Sequence, residues 1–270
     1  MFKILFWNIK QANIGDSIAS LAIENDLDLI LLAENNFSHV GNFLGELNKT
    51  NYKYSLIQNF SSNDRNVYFR AKSNLINRIE DGLHHTVLHI NLPGLPDFNI
   101  ILVHLISKLF FSSESQFAEL AKLNEIILKQ ETKVQHKRTL LIDDFNMNPF
   151  ESGMVNSTTL NAVSNRTIAS KNSRKVLDNN YYYFYNPMWN FFGDKNKVSG
   201  TYYNNKAEHV KHFWNIYDQV LIRPDLIQNF SLDSLKIIDT IQSKPIVTKS
   251  GIPNKNKFSD HLPIYFELNI

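Results

Sequence analysis

Hydrophobic runs along this chain repeatedly stop at, or start from, a polar side chain. Phe2 to Trp7 leads to Asn8, Leu27 to Ala33 to Glu34, Ile100 to Val103 to His104, and Leu140 to Ile142 to Asp143 and Asp144, with Asn146 just beyond. Asp218 stands before Gln219 to Ile222, and Asp260 and His261 stand before Leu262 to Leu268. A strand covered on both faces reads as a continuous apolar run. The pattern therefore predicts buried strands whose ends carry the chemistry. Carboxylates, amides and imidazoles recurring there are what a metal-dependent site at the mouth of a β-core needs, and the chain reads as an enzyme.

The same patterning places strands at Lys3 to Trp7, Leu29 to Ala33, Tyr54 to Gln58, Asn66 to Arg70, His85 to Ile90, Ile100 to His104, Thr139 to Ile142, Gln219 to Ile222 and Leu262 to Leu268. Asp16 to Asn25 repeats its apolar residues at helical spacing, and so does Ser115 to Gln130, where Phe117, Leu120, Ala121, Leu123, Ile126 and Ile127 form one stripe. Ser112, Ser113 and Glu114 supply capping chemistry before it. Strands alternating with helices predict an α/β protein of two facing sheets, each covered by helices. No internal repeat divides the chain. The aromatic run Tyr181 to Tyr185 and the following Met188 to Phe192 fall in an expected loop region, where packing under the loop is the favoured use and stacking on substrate the other.

Composition sets the class. Of 270 residues 43% are hydrophobic and 20% charged, enough apolar mass for one large domain spanning 1–270 and too little charge for a disordered chain. The first expected strand begins at Phe2, leaving no room for a cleaved leader, and no apolar run approaches ~18 residues. A cytoplasmic protein without stable membrane insertion is expected. It has no cysteine, so disulfides do not hold it. The net charge of +2 is unevenly spread: residues 1–135 carry 12 basic and 14 acidic groups, residues 136–270 carry 16 and 12. Lys137 with Arg138, Arg166 through Lys175, Lys195 with Lys197, Lys206 through His212, and Lys244 through Lys257 either line a groove for a phosphate backbone or form a solvated surface.

The blocks Trp7-Asn8, Glu34 in its apolar run, Asp144-Phe145-Asn146-x-Asn148-Pro149 and Ser259-Asp260-His261-x-Pro263, in this order over nearly the whole chain, resemble the endonuclease/exonuclease/phosphatase superfamily. The resemblance implies a DNase I-like, four-layer α/β/β/α sandwich of two mixed sheets. It implies Mg2+, or Mn2+, held by Glu34, Asn8 and Asp260, with Asp144 activating the attacking water. Asn146 and His104 would bind the scissile phosphate, and His261, supported by Asp218, would act on the phosphate as acid, base or donor. Asp143 stands where the family usually has glycine. His104 leans toward the deoxyribonuclease I, sphingomyelinase and phosphatase branches. Asp64-Arg65 resembles an acidic-Arg pair that orients such a histidine, and Thr201-Tyr202 a Thr-Tyr pair that places Tyr202 near substrate. His84, His85, His89, His209 and His212 lack a metal-ligand spacing and read as surface or packing residues.

The expected function is a metal-dependent phosphoric ester hydrolase, a nuclease first, on the strength of the cationic second half. A phosphatase or a sphingomyelinase-like phospholipid phosphodiesterase would share the same centre, and a catalytically silent binding relative is a further alternative. Nucleic acid is the expected partner. A protein partner or homo-oligomer is announced by no segment.

Overall fold

The computed structural model describes residues 1–60, 64–70, 75–195 and 198–270. Lys197, among the basic residues named above, lies outside them. Two mixed sheets carry the fold. The first is built from β1 (Phe2–Asn8), β2 (Leu29–Ala33), β3 (Ser55–Ile57), β4 (Asn66–Phe69), β12 (Phe230–Ile237) and β13 (Ile264–Leu268), in the order β12-β13-β1-β2-β4-β3. The second holds β5 (Ile76–Asp81), β6 (His85–Ile90), β7 (Phe98–Val103), β8 (Thr139–Asp144), β9 (Ala162–Val163), β10 (Phe184–Tyr185) and β11 (Asp218–Ile222), ordered β5-β6-β7-β8-β11-β10-β9. In the first, β1 runs parallel to β2 and antiparallel to β13; in the second, β7 is parallel to β8 and β11 antiparallel to it.

Alternation along these strands builds the layers. Ile100 and Leu102 of β7, Leu140 and Ile142 of β8, and Val220 and Ile222 of β11 are fully buried in the core shared with the first sheet. Their neighbours Ile101, Val103, Leu141 and Leu221 turn the other way, against Leu120, Leu123 and Ile127 of helix α3 (Ser113–Val134). On the first sheet, α1 (Gly15–Glu24) and α2 (Val40–Asn48) bury Ile18, Leu21, Phe43 and Leu47. Helix, sheet, sheet, helix is the result. Each fully buried aliphatic side chain contributes about 1.5–3 kcal/mol, so the central strands are rigid supports for whatever their ends carry.

Several elements depart from the sequence expectation. α3 starts two residues earlier, because Ser112 Oγ caps it by accepting from Ser115 N at 3.3 Å, and it runs on to Val134. α2 was not expected; its two glycines, Gly41 and Gly45, dilute helix propensity, and burial of Val40, Phe43 and Leu47 compensates. β5 was not expected either: it has only two apolar residues, Ile76 and Ile79, and its Arg78 is buried, donating to Asp81 Oδ1 at 2.8 Å. The second part of the Tyr181 to Tyr185 run is packing rather than an open loop, while Tyr182 is exposed. Tyr183, Phe184 and Tyr185 are buried, with Phe184 and Tyr185 forming β10. Among the described residues no helix is long and apolar enough to cross a membrane.

Candidate active site

The polar residues at the strand ends continue the inward stripes in phase. On β8 the series Leu140, Ile142 is followed by Asp144; on β11 Ile222 and Val220 lead back to Asp218; on β1 Ile4 and Phe6 lead to Asn8. A side chain two residues beyond an inward one faces inward as well. The sheets therefore deliver these groups to one end of the gap between them.

There Asn8 joins the two sheets. Its Nδ2 donates to Glu34 Oε1 at 2.9 Å and to Asp144 Oδ2 at 3.1 Å, while its Oδ1 accepts from Lys10 N at 3.1 Å. His104 Nε2 lies 3.6 Å from Glu34 Oε1, and ligand atoms of Glu34, His104 and Asp144 all fall within 4.8 Å of one another. Asp260 sits across from them with one oxygen ion-paired to Lys10 Nζ. Its Oδ1 is buried without a hydrogen-bond partner. Glu34 and Asp144, which converge with His104, offer oxygen donors that fit a hard divalent cation, and Asp260 lines the same pocket without belonging to that close group.

Register explains the second half of the site. Asp218 and Asp144 face each other directly across β11 and β8, an arrangement in which like charges repel. His261 offsets it. Its Nδ1 is 2.8 Å from Asp218 Oδ2 and its Nε2 3.8 Å from Asp144 Oδ2. Burial alone would disfavour the imidazolium, but the charges of Asp218 and Asp144 outweigh it and raise the His261 pKa to about 10. His104 behaves alike: burial opposes its charge, yet a contact with Asp64 Oδ2 at 3.3 Å from Nδ1, together with Asp144 and Asp143, raises its pKa to about 9. Both surroundings favour the protonated ring. Burial raises the pKa of Asp144, with His261 pulling it down and Asp218 up.

Backbone conformation at the site is unusual. Glu34 and Asn146 hold φ of 50° and 49°, and Lys10 holds 45°. Such conformations cost a non-glycine residue roughly 1–3 kcal/mol each and persist where the surroundings enforce them. Asn146 is fixed by its N–H to Asp144 Oδ1 at 2.8 Å and by Nδ2 to Leu105 O at 2.9 Å. Asp143 is held at φ 146°, a region open to glycine, which accounts for glycine being usual at the matching position. Its Oδ1 accepts from Asp144 N at 2.8 Å and its Oδ2 is buried with no hydrogen-bond partner. Burial foremost pushes its pKa up to about 7.

The structure thus brings Asn8, Glu34, His104, Asp144, Asn146, Asp218, Asp260 and His261 together, and Tyr202 with them: its ring lies 4.7 Å from that of His261 and stacks on Tyr217 at 5.3 Å. Asp64 meets His104 and pairs with Arg65 Nη1 at 3.7 Å, and Arg65 also holds the β5–β6 turn through Gly82 O at 2.7 Å and His85 O at 3.1 Å. Among the described residues of the basic clusters, only the Lys206 to His212 stretch reaches this pocket, through Lys211. Sequence reading passed over Lys10, Lys108 and Tyr217, which line it. Lys10, two residues after Asn8, was the one with a positional signal. Asn148 is a brace, donating to Asn215 Oδ1 at 2.9 Å and accepting from Ile216 N at 2.9 Å, which sets the approach to β11.

No protein-family profile matches the chain, and no curated protein matches its sequence. Solved structures do. An endonuclease/exonuclease/phosphatase family protein from Leptotrichia buccalis superposes with a TM-score of 0.60 at 15% identity, covering 100% of both chains. D. rerio TDP2, complexed with single strand DNA product, gives 0.56 at 15% over 100% of this chain and 99% of that one. A mannosyl-6-phosphatase of Bacteroides thetaiotaomicron gives 0.56 at 12% over 99% of each.

Proposed function

We propose that this chain, which has the DNase I-like fold of the endonuclease/exonuclease/phosphatase superfamily, is a divalent-metal-dependent phosphodiesterase that hydrolyses nucleic acid. One observation carries the reading. Asn8, by donating to both Glu34 and Asp144, ties a carboxylate of one sheet to a carboxylate of the other, beside His104 and His261, whose pKa values are raised by the carboxylates around them. A pair of anchored cations next to clustered carboxylates suits a phosphodiester, whose non-bridging oxygens gain charge as water adds.

In this reading Glu34 and Asp260, with Asn8 beside them, would hold Mg2+ or Mn2+, which would supply charge neutralisation at the phosphoryl and leaving oxygens. Asp144 takes the proton from the attacking water; it is oriented by the N–H groups of Asn8 and Asn146. Water bonds to phosphorus as the ester P–O bond breaks, without a covalent intermediate. His104 and Asn146 position the phosphate, and His261 stabilises its charge, kept in one orientation by Asp218. Since the same fold is found in a protein holding DNA product and in a phosphatase, the site and not the fold must choose the substrate.

The test is a substrate panel of plasmid DNA, single-stranded DNA, RNA, sphingomyelin and inositol phosphates, each with Mg2+ and with EDTA. Metal-dependent cleavage of DNA or RNA is expected. Turnover confined to lipid or phosphomonoester would keep the centre and overturn the substrate.

A further inference from the structure

The pocket has walls as well as a floor. Directly after β7 and His104 the chain makes a turn that exposes three consecutive apolar side chains: Leu109 is 60% exposed, Phe110 81% and Phe111 50%. Leu109 and Phe110 line the same pocket as His104, Asp144 and His261. Leaving these surfaces in water is unfavourable, and the turn that holds them is well fixed. Leu109 N donates to Ser107 Oγ at 3.2 Å, Phe110 N and Phe111 N to Ser107 O at 3.1 and 3.2 Å, and Lys108 pairs with Glu151. Below the turn Gln116 Nε2 bonds Ile106 O at 2.8 Å and Asn146 O at 3.2 Å, tying it to the phosphate-binding asparagine.

Tyr202, stacked on Tyr217, lines the same pocket, as does Lys211. Lysines 10, 108 and 211 stand in the lining. Apolar and aromatic side chains lining one pocket with His104 and Asn146, and lysines there that pair with Asp260, Glu151 and Glu208, match the chemistry of an unpaired strand, whose bases have free faces while its backbone is anionic. A duplex keeps its base faces stacked internally. A lipid anchor would stand clear of the pocket, whereas Leu109 and Phe110 form part of its wall.

Resting on the nuclease reading, we propose that the Leu109-Phe110-Phe111 turn and the Tyr202/Tyr217 wall form a stacking platform that makes the enzyme selective for single-stranded nucleic acid. Phe110 contributes a face to the base next to the scissile phosphate.

Binding tests this separately from hydrolysis. In EDTA the full chain carrying Asp144→Asn is titrated against a fluorescein-labelled oligothymidylate, the corresponding duplex and sphingomyelin/phosphatidylcholine vesicles. The single strand is expected to bind at least about tenfold more tightly than the duplex. Adding Phe110→Ala should weaken it by about five- to a hundredfold, the range for losing one stacked base. Phe110→Trp should restore the affinity and show tryptophan quenching on binding. Undiminished single-strand affinity in Phe110→Ala, equal duplex affinity, or vesicle binding that disappears with Phe110→Ala would each overturn the platform. Wild-type cleavage of nucleic acid with Mg2+ would still stand after any of those results, and its absence would count against the nuclease reading instead.

Discussion

Asp143 and His261 show how much single side chains bear here. Asp143 combines a positive φ with a buried, unpartnered carboxyl oxygen, and both features oppose folding. Replacing it with glycine relieves both at the loss of one hydrogen bond to Asp144 N. We expect Asp143→Gly to be more stable by about 1–3 kcal/mol, raising Tm by roughly 2–4 °C per kcal/mol. Thermal and denaturant unfolding check it, and a lower Tm would show that the Asp144 N contact outweighs the strain. His261 depends on Asp218 for its charge. In Asp218→Asn the pKa falls from about 10, because burial still lowers it while the charge and hydrogen bond of Asp218 are lost and only Asp144 and Asp260 continue to raise it. The alkaline limb of the kcat/KM profile should move to lower pH, with a rate loss of at least about tenfold; an unmoved limb would assign it to another group.

At the scale of elements, the sequence was most legible where one physical rule acted alone. β1, β2, β7, β8, β11 and β13 are apolar runs buried on both sides, and their polar ends announce the site. α2, β5 and β12 were missed because tertiary burial overrides weak local signals: the glycines of α2, the buried arginine in β5, and the alternation of β12 broken by a register shift between Ser231 and Lys236. Lys108 and Tyr217 were invisible for a different reason, since only the folded arrangement of loops puts them in one pocket with Lys10. Another such feature is the buried pair between Arg223, just past β11, and Glu131 of α3, Nε to Oε1 at 2.8 Å. Arg223→Met alone leaves a carboxylate unpaired and should cost about 3–5 kcal/mol, with Glu131→Leu added on top recovering part of it. A double-mutant cycle in urea reads the coupling, and strictly additive losses would mean that the pair does not lock α3 to the sheet.

For the molecule as a whole, the site determines how stability follows pH. In the metal-free protein Asp143 and Asp144 have pKa values raised above the usual ~3.9, and His104 and His261 values raised above ~6.5. In all four the folded chain holds protons that the unfolded chain releases, so stability falls as pH rises. The loss begins above about pH 4 through the two aspartates and continues through about 9 and 10 as the histidines lose their charge. Asp64 and Asp81, held below the usual carboxylate range although burial pushes the other way, act oppositely and are lost in acid. Tm in EDTA should therefore peak on the acid side of neutrality and decline toward pH 10. Mg2+ should raise it most at the alkaline end, where the carboxylates are ionised. A Tm in EDTA that climbs from pH 6 to 9 would contradict the assigned charge states.

The convergence of the two sheets' polar ends on one hydrolytic centre is tested most directly by the cleavage rate of a labelled single strand in Mg2+ for the wild type and for Glu34→Ala, Asp144→Asn and His261→Ala. The account predicts that each variant, folded by circular dichroism, loses at least about a hundredfold in rate, as does the wild type in EDTA. Cleavage at the wild-type rate by any of the three would contradict it.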